Sequence, residues 1–314
     1  MLLDIEHTLK FAYEGFVSES WMELRVEPRT LATQSLETFY LAVGPATKVF
    51  RYADWNGNVV HHFGIAEYHE NIEIVSRSLV ETRAPTVIPI QAQDEVGRLG
   101  ELGPLRDFTQ FDGLVRDSAG LAELAATIPA GGTLGERVLA IGKGVRTALT
   151  YRTGSTNYKS TSDDALAKGS GVCQDFAHVM LGLLRREGIA CRYVSGYLHT
   201  NKPESESHAW VEAWSPSVGW VAYDPTHALW PDERYVVVAY GRNYDDVPPN
   251  RGIYRGIARE RLSARVKTNV SGRGARSGLR EEMGQIDLPV YAELPLRTNS
   301  SIALADQGIS QQQQ

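Results

Sequence analysis

The sequence predicts an α+β fold in which an N-terminal antiparallel β-sandwich precedes a core of helices packed on an antiparallel sheet. Three observations indicate this fold. The first 82 residues alternate apolar and polar side chains, as half-buried strands do. Two segments further along carry one apolar stripe each, as amphipathic helices do. Several β-rich segments come after these helices, so helices and strands are segregated along the chain.

The N-terminal region contains six segments with the alternation of strands. They are HTLKFAYEG, SWMELRVEP, SLETFYLAV, TKVFRYADW, NVVHHFG and ENIEIVSRSLVE, all rich in β-forming residues. The Asn-Gly step of DWNGN, residues 54–58, favours a tight hairpin. Six strands at this spacing are typical of a small sandwich, which we assign to residues 1–84. A Pro- and Gly-rich stretch without a clear period makes residues 85–110 a linker.

The second domain, residues 111–272, opens with helices. One helical stripe contains Leu134, Val138, Ile141, Val145 and Leu149, and a second, on a helix opened by Cys173, contains Phe176, Val179, Met180, Leu183 and Leu184. Strands are predicted for ACRYVSGYL, HAWVEAWS, GWVAYDPT and RYVVVAYG, with ARVKTNV as a fifth. Residues 273–314 form a C-terminal extension whose Gln-rich end we expect to be disordered.

Composition excludes several classes of protein. The net charge of −6 and the pI near 5.8 do not indicate the basic surface that binds nucleic acid. No apolar run reaches the length of a membrane span, and the first residues lack the order of a signal peptide. Two cysteines in 314 residues make no disulfide framework. We therefore expect a cytoplasmic protein that binds neither nucleic acid nor membrane.

Cys173 has the features of a reactive thiol. It opens a helix, where free N–H groups and the helix dipole favour the thiolate. Gly169 and Gly171 precede it and allow a tight loop and the close approach of a substrate backbone. The stretch by itself leaves two readings open, because a small buried residue that begins a helix would look the same.

His208 and Asp224 are the candidate base and its orienting acid. His208 begins one predicted strand, Asp224 ends the next, and SPSVG forms the hairpin loop between them. Pairing Trp214 with Trp220 places the two side chains on a diagonal, whereas pairing Ala213 with Gly219 places them directly opposite each other. In either register the carboxylate could hold one ring nitrogen and leave the other for a thiol.

Three motifs together resemble the core of the bacterial transglutaminase-like superfamily, which has a papain-like fold. They are GVCQDFAHVMLGLLRREGIACRYVSGY, SHAWVEAW and GWVAYDPTH, and the resemblance runs from about residue 134 to residue 257. It implies that Cys173 is the nucleophile, His208 the base and Asp224 the residue that orients the base. Residues 1–82 are similar to the β domain that often precedes this core. The implied activity is acyl transfer on a peptide or carboxamide through a thioester, without a metal or organic cofactor.

Other residues are assigned around this site. The backbone N–H of Cys173 is the expected first oxyanion donor, and Gln174 or a group within residues 151–158 is a candidate for the second. Candidates for the lining of the substrate cleft are Trp210, Tyr158 and Asp175.

The other histidines and the second cysteine are expected to have structural roles. His61, His62 and His69 match no familiar metal spacing. His178 lies about 140° around the helix from Cys173 and cannot be its base. Cys191 is expected in the core, and His227 is a candidate partner of Asp224.

Three functions remain open at this stage. Water resolves the acyl-enzyme in a peptidase or amidase, which we favour, and an amine resolves it in a transglutaminase. Both use the same three residues, so the motifs do not separate them. A scaffold that has lost activity is the third reading, although the complete set of three residues argues against it. The sequence indicates a peptide or protein substrate but neither its identity nor an oligomeric state.

Overall fold

The computed structural model describes residues 1–85, 92–96, 103–200, 207–272 and 275–291. The expected linker therefore lies partly outside the described residues, and the Gln-rich end lies wholly outside them. The described chain contains the following elements in order: β1 (Leu2–Leu24), β2 (Gln34–Gly44), β3 (Val49–Ala53), β4 (Val59–Ile65), β5 (His69–Thr82), a 3₁₀ helix (Gly103–Thr109), α1 (Ala119–Thr127), α2 (Leu134–Ala148), β6 (Thr150–Tyr151), α3 (Ser162–Lys168), β7 (Ser170–Gly171), α4 (Cys173–Arg186), β8 (Cys191–Leu198), β9 (His208–Ser215), β10 (Gly219–Tyr223), β11 (Tyr235–Gly241), a 3₁₀ helix (Tyr244–Asp246), β12 (Asn250–Gly256), β13 (Arg259–Val270), α5 (Ala275–Gly284) and β14 (Val290–Tyr291).

The chain divides into two compact units. The β unit comprises Leu2–Glu27, Leu36–Val80 and Asn250–Gln314. The core unit comprises Met1, Pro28–Ser35 and Glu81–Pro249. The predicted α+β class and the antiparallel β character of the N-terminal region are confirmed.

The β unit is built on one eight-stranded sheet in the order β14-β2-β5-β1-β4-β3, with β12 and β13 also paired to β1. The segments HTLKFAYEG and SWMELRVEP, predicted as separate strands, form the single long strand β1. Between them Gly15 has a φ of +120°, and the register shifts between Val17 and Glu19. A positive φ is open to glycine at little cost, so Gly15 lets β1 bend without ending.

The placement of β13 corrects the expected domain boundary at residue 272. The strand that contains ARVKTNV was predicted in the core, but β13 pairs with residues 3–14 of β1 in an unbroken antiparallel ladder. β12 pairs with β1 as well, along residues 17–24. An alternating pattern marks a strand without specifying its partner, so the sequence could not show that residues 250–270 return to the N-terminal sheet.

The core unit places four helices with a four-stranded sheet of order β10-β9-β8-β11. The predicted stripe of α2 is buried, with Leu134, Val138, Ile141 and Val145 all at 0% exposure. The predicted stripe of α4 is buried in the same way, and α4 packs on β8 and β9. Each such side chain contributes about 1.5–3 kcal/mol of burial free energy, which fixes α4 against the strands that follow it. None of the helices in the described ranges is long and apolar enough to cross a membrane.

Candidate active site

The start of α4 is held by an acidic side chain. The backbone N–H of Val172 and the hydroxyl of Thr156 both donate to Asp175 Oδ2, at 2.7 Å and 2.6 Å. A Cβ atom on Gly171 would lie 2.5 Å from Asp175 Cβ, so only glycine leaves room for this carboxylate. The cap therefore fixes the backbone on both sides of Cys173.

Cys173 occupies the first position of α4 as a free, half-buried thiol. Its sulfur lies 4.0 Å from the carbonyl oxygen of Ser207, the residue before His208. N–H groups in the first helical turn have no intrahelical partner, and the helix dipole favours negative charge there. The local structure thus suits an anionic sulfur.

His208 lies between Cys173 and Asp224. In the observed register Trp214 pairs with Trp220, which is the first of the two pairings considered from sequence. Asp224 directly follows β10, where its backbone bridges to Leu229. His208 Nε2 lies 2.8 Å from Asp224 Oδ2, which leaves Nδ1 for the thiol of Cys173.

The charges of His208 and Asp224 stabilise each other. Burial opposes a charged imidazole, but hydrogen bonds with Asp224 and then with Cys173 outweigh burial and raise the pKa of His208 to about 10. Burial also opposes the Asp224 carboxylate, yet hydrogen bonds from His208 and His227 hold its pKa well below the usual range. Opposite charges at hydrogen-bond distance stabilise each other, so the site favours a charged imidazole beside the Asp224 carboxylate.

Asp224 accepts further hydrogen bonds that the motifs did not reveal. The hydroxyl of Tyr235 donates to Oδ2 at 2.7 Å, and His227 Nδ1 lies 2.8 Å from the same oxygen. The backbone N–H groups of Thr226 and His227 donate to Oδ1 at 2.8 Å and 3.2 Å. The sequence indicates His227 as a partner but not Tyr235, because nothing in RYVVVAYG shows that its first tyrosine reaches the residue that follows β10, on the opposite side of the sheet.

The remaining candidates are placed as follows. The side-chain nitrogen of Gln174 donates to the carbonyl of Tyr158 at 3.2 Å, and the Tyr158 side chain is exposed. Asp175 and Trp210 are each 1% exposed, and Trp210 borders a cavity of about 330 Å³ together with Trp220 and Tyr235. Asp175 is turned inward by its capping role, and Trp210 packs edge-on against Tyr235 at 5.3 Å and stacks on His208 at 6.2 Å. The assignment of these two residues to the cleft therefore stays a prediction.

The histidines of the N-terminal region do not converge on one another. His61 Nε2 lies 2.8 Å from a carboxylate oxygen of Glu27, and His69 Nε2 lies 2.8 Å from the hydroxyl of Ser20. The ring of His62 stacks on Trp21. In the core unit, by contrast, His208 Nε2, Asp224 Oδ2 and His227 Nδ1 lie within 4.8 Å of one another and could share a metal ion.

Comparisons with known proteins agree with this architecture. Residues 122–225 match the model of the transglutaminase-like superfamily, and residues 3–81 match that of the bacterial transglutaminase-like N-terminal region. An uncharacterized protein of Mycobacterium leprae is 34% identical over 267 residues, which cover 80% of this chain and 92% of that protein. A protein-glutamine γ-glutamyltransferase of Pseudomonas aeruginosa is 32% identical over 94 residues, covering 27% of this chain and 14% of that protein.

One solved structure has the same fold along most of the chain. It is a candidate cysteine protease from Cytophaga hutchinsonii, with a TM-score of 0.74 and 21% identity, covering 87% of this chain and 92% of that one. A cysteine at a helix start, facing a histidine on an antiparallel sheet, places the core unit in the class of papain-like α+β folds. Within that class, the chain belongs to the transglutaminase-like superfamily. This membership supports cysteine-dependent acyl transfer as its general chemistry.

Proposed function

We propose that this protein is a cysteine hydrolase that cleaves a peptide or carboxamide bond with Cys173, His208 and Asp224. The observation that carries the proposal is the position of His208, which is hydrogen-bonded to Asp224 through Nε2 and paired with Cys173. A helix-start cysteine, an imidazole and a buried carboxylate supply a nucleophile, a proton carrier and an orienting anion.

The reaction has two halves. The thiolate of Cys173 attacks the substrate carbonyl, the C–S bond forms, and the charged His208 gives a proton to the amine as the C–N bond breaks. Water then attacks the thioester, His208 takes up its proton, and the C–S bond breaks to release the acid. Asp224 holds the imidazole in one orientation through both halves. The N–H groups at the start of α4 are placed to stabilise the oxyanion, with Cys173 as the first donor.

The packing of the tryptophans favours water over an amine in the second half. A transglutaminase needs an acceptor channel that excludes water, and the four tryptophans near the site were the candidates for its walls. Trp214 and Trp220 pack edge to face at 5.3 Å, and Trp230 packs on Tyr223 at 4.8 Å. Trp210 is buried against Tyr235. Since each of these rings packs on another aromatic side chain, we favour hydrolysis.

Transglutamination is the second candidate. It is supported by the match to the Pseudomonas aeruginosa γ-glutamyltransferase, which covers 27% of this chain. The catalytic residues would be the same, and only the acceptor would differ.

An acceptor-competition assay tests the proposal. The protein is incubated with a library of glutamine-containing peptides and a labelled primary amine, and cleaved or deamidated products are compared with amine-linked ones. We expect hydrolysis to exceed amine incorporation, and Cys173→Ala to lower both by at least about 10³-fold. Cys191→Ala is the matched control and keeps the activity. Faster amine incorporation would establish the second candidate, and full activity in Cys173→Ala would exclude both.

A further inference from the structure

Asp224 Oδ2 is surrounded by more donors than one oxygen ordinarily accepts. His208 Nε2 and His227 Nδ1 each lie 2.8 Å from it, and the Tyr235 hydroxyl lies 2.7 Å from it. Oδ1 takes two backbone N–H groups as well. A carboxylate offers about four lone-pair sites in all, so five donors compete for it. Two imidazole nitrogens therefore already converge on one anionic oxygen.

Such a group has the donor set of a zinc site. Zn²⁺ binds imidazole nitrogen and carboxylate oxygen at about 2.0–2.2 Å, and open sites use three protein ligands and a water. A tetrahedral ion with those bonds needs ligand atoms about 3.4 Å apart, so the two 2.8 Å contacts need to open by roughly half an ångström. The hydrogen bonds from Tyr235, Thr226 and His227 to the carboxylate would orient it for the ion, as outer partners do in zinc sites.

Access to this group is from the side of His227. The side chain of His227 is 46% exposed, whereas those of His208 and Asp224 are 10% and 0% exposed. An arriving ion can therefore meet His227 first and reach the other two ligands by small rotations of the rings.

We propose that His208 Nε2, Asp224 Oδ2 and His227 Nδ1 form an inhibitory site for Zn²⁺ or a similar borderline divalent metal. Binding replaces the N–H hydrogen bonds of the two rings to Asp224 with bonds to one ion and releases the displaced protons to solvent. Hard cations such as Mg²⁺ and Ca²⁺ prefer all-oxygen ligands and do not occupy it.

The inhibitory effect, which rests on the proposed function, follows from proton counting. A neutral imidazole bound to metal through Nε2 carries its one proton on Nδ1 and has no free lone pair. His208 can then accept no proton from thiol or water, and giving up the Nδ1 proton would leave an imidazolate. Both halves of the reaction therefore stop while the thiol itself stays free.

Metal binding by matched variants tests the site without any need for activity. Zn²⁺ affinity is measured by competition with a chromophoric chelator, and Co²⁺ is used as a spectroscopic substitute, for wild type, Cys173→Ala, His227→Gln and His62→Gln. We expect one zinc per chain in wild type, the same affinity within about twofold in Cys173→Ala and His62→Gln, and an affinity lower by at least about 100-fold in His227→Gln. The Co²⁺ form should show ligand-field bands without a thiolate charge-transfer band.

Three results would overturn the proposal. They are equal affinity in His227→Gln, loss of binding in Cys173→Ala together with a thiolate band, and no stoichiometric binding in wild type. The second would place the metal on the thiol instead. None of these results bears on the proposed function, because Cys173-dependent hydrolysis is measured separately, in the presence of a metal chelator. Conversely, a failure to find hydrolysis would leave the result of the zinc titration unaffected.

Discussion

One thiol and one imidazole lie at the start of α4, whereas a second thiol, on β8, and a second imidazole, on α4, are buried in the core unit, and the two surroundings differ sharply. Cys173 is half-buried at the first position and meets His208, which is bound to the Asp224 carboxylate. Cys191 and His178 are both fully buried. Cys191 lies 3.5 Å from the Leu181 carbonyl, and His178 Nε2 accepts a hydrogen bond from the Tyr244 N–H at 3.2 Å.

The difference shows that the charge state depends on the partner. Burial raises the pKa of Cys191 to about 11 and lowers that of His178 to about 3, so both remain neutral. Among the residues that the structure describes, no carboxylate compensates His178 for lost hydration, and the nearby charge of Arg185 acts in the same direction as burial. At the helix start, the Asp224 carboxylate reverses the balance. The two imidazoles therefore have pKa values shifted in opposite directions, upward for His208 and downward for His178.

Removing the Asp224 carboxylate should have the largest effect, because it would make the surroundings of His208 resemble those of His178. We expect Asp224→Asn to lower kcat by about 10⁴-fold, because an amide no longer orients the imidazole or stabilises its charged form. The measurement is steady-state turnover of the best peptide substrate, with circular dichroism to confirm folding. Asp232→Asn, which breaks an exposed pair with Arg234, is the control and should stay near wild type. Comparable losses in both variants would show that Asp224 acts only through stability.

Selective alkylation compares the two thiols directly. At pH 7.5 iodoacetamide should modify Cys173 at least about 100-fold faster than Cys191, because only the thiolate reacts and the buried sulfur is neither accessible nor ionised. Peptide mass spectrometry after timed quenching measures both rates in one sample. In denaturant the two alkylation rates should converge. Equal rates in the folded protein would contradict the expected difference in reactivity between Cys173 and Cys191.

The neutral imidazole of His178 should make the fold sensitive to acid. Its pKa is about 3 in the folded chain and ordinary when unfolded, so the unfolded state binds a proton first. The free energy of unfolding should therefore fall as the pH drops below about 6.5, by up to about 1.4 kcal/mol per pH unit. His178→Gln should show a slope between pH 6 and pH 4 that is shallower by up to this amount in urea denaturation.

The range between pH 7 and pH 8 supplies the control for this measurement, because His178 is neutral in both states there and the two slopes should coincide. Burial also lowers the pKa of His7 to about 4, so the variant keeps part of the acid sensitivity. Identical slopes for wild type and variant at acid pH would mean that His178 takes up its proton in the folded chain.

The sequence predicted the features that depend on local pattern. The stripes of α2 and α4, the four strands of the core sheet and the triad candidates follow from periodicity and from motifs about 15 to 35 residues apart. The alternation of apolar and polar residues does not show which strand a segment pairs with, so β13 was assigned to the wrong sheet. A strand pattern also does not show which distant residue a side chain at a strand end reaches, and so the contact of Tyr235 with Asp224 could not be predicted.

The pairing of β1 with β13 constrains how the chain folds as it is synthesised. Leu3, near the beginning of the chain, finds its partner in Val270, near the end. The sheet of the core unit is complete once Gly241 has emerged, whereas most of β1 has no β13 or β12 to pair with at that time. This edge of β1 therefore stays unpaired until residues 250–270 have been synthesised, and shielding it during translation is a demand that this topology places on the cell.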